Sequence, residues 1–153
     1  MFAKGRLPKD EPDLNQKLHA LLDGWRDDLV SEHPTVSFAG ARVVPDHALA
    51  RTDLLIEAKY VRGGTTPSKA SEGIAADLTK YPQRKHTLFI VYDPHTAILD
   101  PHEFQHDFES RGKCIVYVIK WQSTRIWTNE VLKCIRGLPL FFLSGGLYIR
   151  QCA

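Results

Sequence analysis

Apolar positions along this chain change their period part-way. Leu14, Leu18, Leu21, Leu22, Trp25 and Leu29 recur every three or four residues, the spacing of a helix that buries one face. Pro34 bars continuation, so the pattern predicts an amphipathic helix of about four turns ending before it. From residue 35 the pattern turns β-like. VSFA, RVVPDHAL and DLLIEAKYV are separated by Ala39-Gly40-Ala41 and by residues 50–53, which predicts an antiparallel meander of three strands. Glycines and Pro67 mark residues 62–68 as a loop opening a helix over 69–81, with Ile74, Leu78 and Tyr81 on one face. TLFIVY (87–92) and CIVYVIKW (114–121) are nearly continuous apolar runs, as expected of strands covered on both faces. Asp100-Pro101 reads as an N-cap followed by proline at the first helical position. Residues 125–136 can form a last helix through Trp127, Val131 and Ile135, stopped by Gly137.

The resulting order is α-β-β-β-α-β-α-β-α. Helices alternating with buried strands imply an α/β (α+β) architecture, a mixed sheet with helices on both sides. Residues 1–12 read as a polar, flexible lead-in, 13–137 as one domain, and 138–153 as an apolar tail with no clear period.

Composition narrows the function classes. At 43% hydrophobic and 25% charged residues, the chain is ordinary globular protein. A formal charge of +2 carries no general argument for nucleic-acid binding. Charge is nevertheless uneven: residues 51–86 hold seven Lys/Arg against four Asp/Glu, and residues 1–34 hold five against seven. Cys114, Cys134 and Cys152 are scattered, which fits a reduced setting better than a disulfide framework or a zinc finger. The opening MFAKGRLPKDEPD lacks a signal-peptide core, and the longest apolar run, residues 138–143, is far short of the ~20 residues that span a bilayer. A cytoplasmic protein with no membrane partner is the expectation.

One constellation carries chemistry: Pro45-Asp46, ten residues, then Glu57-Ala58-Lys59. Glu57 and Lys59 are two apart in a strand and share a face. Charges in so apolar a run are costly unless paired or metal-bound. A hairpin folded at residues 50–53 brings Asp46 beside Glu57. Two converging carboxylates with an adjacent ammonium suit metal-assisted phosphodiester hydrolysis. Hard oxygen donors hold Mg²⁺, with Mn²⁺ as a substitute, and the ion polarises phosphate and activates water. Asp46 and Glu57 are the expected ligands, with the Ala58 carbonyl as a third, and Lys59 is the expected catalytic cation. Asp53 is the rival to Asp46. It shares a strand face with Glu57 but lies four residues away, about 13 Å along a strand, unless the strand bulges.

The pattern PD-x10-ExK in an α-β-β-β-α-β order resembles the PD-(D/E)xK nuclease superfamily. EAKYVR, a spacer and GIAADLTKYPQRKHTLFIVYDP look more narrowly like the DpnII/MboI-type restriction endonuclease domain, over about residues 32–120. The resemblance implies a restriction endonuclease-like core and a catalytic set of Asp46, Glu57 and Lys59. In some members a glutamate on the first helix joins the metal site, and Glu32 is the candidate here. Similar proteins commonly place the first acid in an Arg-x-Asp pattern, which fits Arg51-Thr52-Asp53 but leaves no room for a hairpin before Glu57.

The expected function is a Mg²⁺-dependent endonuclease of restriction or defence type acting on double-stranded DNA. Arg62, Lys69, Lys80, Arg84 and Lys85 surround the site as phosphate contacts. A non-catalytic nucleic-acid-binding or assembly module of the same fold is the alternative, as is a nuclease for RNA or structured DNA. A core this small favours a homodimer or a larger complex. His102 and His106 have i,i+4 spacing but lack the HExxH order and a third ligand.

Overall fold

The structure is a computed structural model that describes residues 6–24, 27, 29–31, 36–38, 41–81, 85–120 and 129–133. Helix α1 (Glu11–Asp23) opens where the Asp10 side chain accepts a hydrogen bond from the Asp13 N–H, with Pro12 in its first turn. Leu14, Leu18, Leu21 and Leu22 are its buried stripe. It begins two residues before the expected position 13, and Leu7 already packs against the core. It also ends earlier than the apolar period suggested. Gly24 is its C-cap, and Leu29, seven residues past Leu22 and so in phase by spacing, instead opens strand β1 (Leu29–Ser31). Trp25 lies outside the described residues.

The expected three-strand meander is replaced by more and shorter pieces. Strands β2 (Val36–Phe38) and β3 (Ala41–Val43) pair antiparallel as a separate two-stranded ribbon. RVVPDHAL does not form one strand. It divides at Val44-Pro45-Asp46, where proline has no N–H to give a ladder, and resumes as β4 (His47–Leu49). The hairpin between β4 and β5 (Leu54–Tyr60) is where the sequence predicts it, closed by a Thr52 N–H to Leu49 carbonyl bond of 3.1 Å.

The second half follows the expected alternation. Helix α2 (Pro67–Lys80) is capped by Thr66, β6 (His86–Asp93) is buried along nearly its whole length, and α3 (Pro101–Glu109) is capped by Asp100. Strand β7 (Cys114–Lys120) completes a five-stranded sheet of order β1-β4-β5-β6-β7. Its β1-β4-β5 part is antiparallel and its β5-β6-β7 part parallel. Residues 129–133 are helical, with Val131 buried in the core; the rest of the expected last helix, Trp121, Trp127 and the tail fall outside the described residues.

Two layers cover the sheet. The α1 leucines pack with Leu54, Ile56, Ala58, Leu88, Ile90 and Tyr92. Ile74 of α2 and Phe104 and Phe108 of α3 pack on the other face with Val61, Phe89, Val91 and Val116. Successive crossovers of one hand, moving one way across the sheet, put α2 and α3 on the same side. The alternation of β5 is thereby settled: Leu54, Ile56 and Ala58 face α1, and Glu57 and Lys59 face α2. Among the described residues no helix is long and apolar enough to cross a membrane.

Candidate active site

The β4–β5 register sets the geometry. His47 pairs with Ile56, so the antiparallel count carried one residue further puts Asp46 opposite Glu57. Two hydrogen bonds fix that corner. The Asp46 N–H donates to Glu57 Oε1 at 3.3 Å, and Asp46 Oδ2 accepts from the Ala58 N–H at 2.9 Å. Asp46 therefore grips β5 where β4 has ended and the ladder would otherwise lose its partner. In a strand the carbonyl of a residue points to the same side as its N–H, so the Ala58 carbonyl is also directed toward this edge.

Glu57 is 5% exposed. Its Oε1 accepts from the Tyr81 hydroxyl as well. Burial, and then the neighbouring Asp46 charge, push its carboxyl up to about 7, although the Tyr81 hydrogen bond and Lys59 pull the other way. The Lys59 ammonium stands 4.0 Å from Glu57 Oε2 but 2.5 Å from Asp77 Oδ2. Burial draws the Lys59 pKa down, but Asp77, joined by the Glu57 and Glu11 charges, outweighs it and the net shift is upward. Lys59 is thus an ammonium at neutral pH, able to donate hydrogen bonds and offset negative charge but not to take up a proton.

Three residues here escaped the sequence reading. Asp77 and Tyr81 lie one turn apart on the α2 side of the site, Asp77 bridging Lys59 and Lys80, the latter at 2.6 Å. Its carboxyl is held low, since burial is overcome by those two ammonium groups. The available signal was a carboxylate at position 77 set within the apolar stripe of Ile74 and Tyr81. Glu11, in the first turn of α1, accepts from the Tyr60 N–H at 3.2 Å, two residues along the same strand edge from Ala58.

The remaining expected residues are more dispersed. Asp53 is at the opposite end of β5, where it accepts from Lys85 at 2.7 Å and its carbonyl binds the His86 N–H at 2.8 Å. Lys85 is therefore committed to an ion pair away from Glu57. Arg62 and Lys69 are exposed around the loop after β5, and Lys80 is exposed while paired with Asp77. Glu32 and Arg84 lie outside the described residues.

The donors suit a hard divalent cation. Asp46 Oδ1 and Glu57 Oε2 lack a hydrogen-bond donor among the described residues, and the Asp46 charge disfavours ionisation of Glu57. No group of three His, Cys, Asp or Glu side chains capable of holding a metal occurs among the described residues, so backbone or solvent oxygen must complete any such site. His102 and His106 are exposed on α3 and belong to no such group.

A protein-family model, REase_DpnII-MboI, matches residues 8–123. The chain belongs to the DpnII/MboI restriction endonuclease family. That span contains the whole five-stranded sheet and all three helices named above. Neither a curated protein nor a solved structure matches the chain. Membership of the DpnII/MboI family implies an endonuclease whose substrate is DNA.

Proposed function

We propose that the protein is a divalent-metal-dependent endonuclease that hydrolyses phosphodiester bonds of duplex DNA in a restriction or defence role. The observation that carries this reading is the Asp46–Glu57 corner with the Lys59 ammonium beside it. Asp46, Glu57 and the Ala58 carbonyl would hold the ion, Mg²⁺ or Mn²⁺, and Glu11 is an acid that the first helix brings to the same strand edge. When bound, such an ion polarises the phosphate and lowers the pKa of water.

The chain's own residues do the rest. Tyr81 and the Asp46 N–H fix Glu57 through Oε1, which keeps Oε2 turned to the site. Lys59, held protonated, offsets the charge that develops on phosphate oxygens. Arg62, Lys69 and Lys80 supply phosphate contacts that position the duplex. The two strands of a duplex run in opposite directions, so cutting both calls for two such sites. A homodimer or a larger complex supplies the second.

Purified protein with Mg²⁺ is expected to cut duplex DNA, and EDTA, Glu57→Ala or Lys59→Ala to lower the rate by about 10²-fold or more. Cleavage at the wild-type rate by either variant would sink the assignment. Light scattering that shows a fully active monomer would remove the dimer.

A further inference from the structure

Lys59 has a choice of two carboxylates. Glu57 is its neighbour on the strand, two residues away and on the same face, yet the ammonium sits 2.5 Å from Asp77 and 4.0 Å from Glu57. Asp77 is itself buried, on the inner side of α2, and is held in turn by Lys80 at 2.6 Å. An ammonium in a half-buried setting seeks the nearest anion, because attraction rises steeply as distance and dielectric fall. Among the described residues, the other carboxylate within ion-pair distance of Lys59 is that of Glu57. Without Asp77, Lys59 would form a direct ion pair with Glu57 Oε2, the oxygen left without a donor by Tyr81 and Asp46.

We infer that Asp77 is a positioning residue that keeps Lys59 off Glu57 and so preserves Glu57 Oε2 for a divalent cation. The inference rests on the reading of Asp46 and Glu57 as metal ligands. Asp77 touches neither substrate nor metal. It decides which of two arrangements the buried charges adopt, one open to a cation and one neutralised internally. Glu57 and Lys59 alone describe an ordinary ion pair, whereas Asp77 holds the carboxylate and the ammonium apart.

Mn²⁺ binding to the full chain, followed by titration calorimetry without DNA, tests this. Wild type should bind Mn²⁺ and Glu57→Gln should not. If Glu57→Gln binds as wild type does, the metal-site reading itself fails. Given a Glu57-dependent site, Asp77→Asn should weaken Mn²⁺ binding about tenfold or more, within the range that outer partners of metal ligands command. Adding Lys59→Met to Asp77→Asn should restore the affinity to within about threefold of wild type, because the competing ammonium is gone. A merely structural role for Asp77 gives no such rescue. Unchanged affinity in Asp77→Asn, or loss that Lys59→Met does not repair, would overturn the inference. Lys59→Met alone supplies a check that leaves position 77 intact. It should bind Mn²⁺ within about threefold of wild type, whereas tightening by about tenfold would mean that Lys59 already occupies Glu57, and would equally overturn it.

Discussion

Burial of Glu57 gives the metal-free protein one pH-dependent contribution to its stability. The Glu57 carboxyl lies near 7 in the folded chain against 4.5 for the free group. The folded state therefore binds more protons than the unfolded state between those values. The stability that this group contributes is fully present below about pH 4.5 and is lost as pH rises through about 7, by roughly 3 kcal/mol at most. Urea unfolding in EDTA at pH 5 and pH 8 should show wild type losing stability relative to Glu57→Gln across that interval. Burial lowers the pKa values of His47 and His86, which gain stability over the same interval, so the comparison with Glu57→Gln is the test: a wild type that loses no stability relative to Glu57→Gln between pH 5 and pH 8 would contradict the burial argument. Tyr81→Phe removes a hydrogen bond that favours the ionised carboxylate, so it should lower cleavage at pH 7 more than at pH 8.5. The acids and lysine of this site were legible in the sequence because a hairpin turns counting into geometry. Once the turn is placed at residues 50–53, position 46 must meet position 57. Asp77, Tyr81 and Glu11 were not legible, since their roles depend on how α2 and α1 dock on the sheet, which no local spacing encodes.

At the scale of elements, the buried strands and capped helices were readable and the short strands were not. Residues 87–92 and 114–121 announce themselves by unbroken apolar runs, and Asp100-Pro101 by cap chemistry. The division of RVVPDHAL and the early end of α1 depend on pairing partners: β4 claims Leu29 and Pro45 interrupts a ladder. The β6–α3 corner also depends on one buried group. Asp93 is fully buried and accepts from the N–H groups of Ala97 at 3.0 Å and Ile98 at 2.8 Å. Asp93→Ala strands both donors, each loss costing about 1–3 kcal/mol, and should lower the denaturation midpoint far more than Asp100→Ala, which removes only an exposed cap. Equal effects in thermal melts would show that the corner does not need its carboxylate.

At the scale of the whole molecule, a net charge of +2 leaves DNA binding to a few local contacts. If Arg62 and Lys69 each meet a phosphate, the logarithmic salt dependence of DNA binding should flatten by about one unit per Arg62→Ala or Lys69→Ala substitution. Binding by the Glu57→Gln protein across a salt series measures it without cleavage. Lys85→Ala should leave that slope unchanged, since Lys85 is engaged with Asp53 at the other end of β5.

The same corner has a bearing on how the chain avoids its own copies. Strand β4 begins only at His47, so β5 runs on past its neighbour with N–H groups that another strand could claim. Acidic side chains take them first, Asp46 at Ala58 and Glu11 at Tyr60. A bare strand edge is a template for aggregation, and charge placed along it repels an incoming strand. Acids placed at the proposed metal site and along the same strand edge would then also be gatekeepers of solubility, and the doubly substituted Asp46→Ala, Glu11→Ala protein should form large particles by light scattering on storage while Glu57→Gln does not.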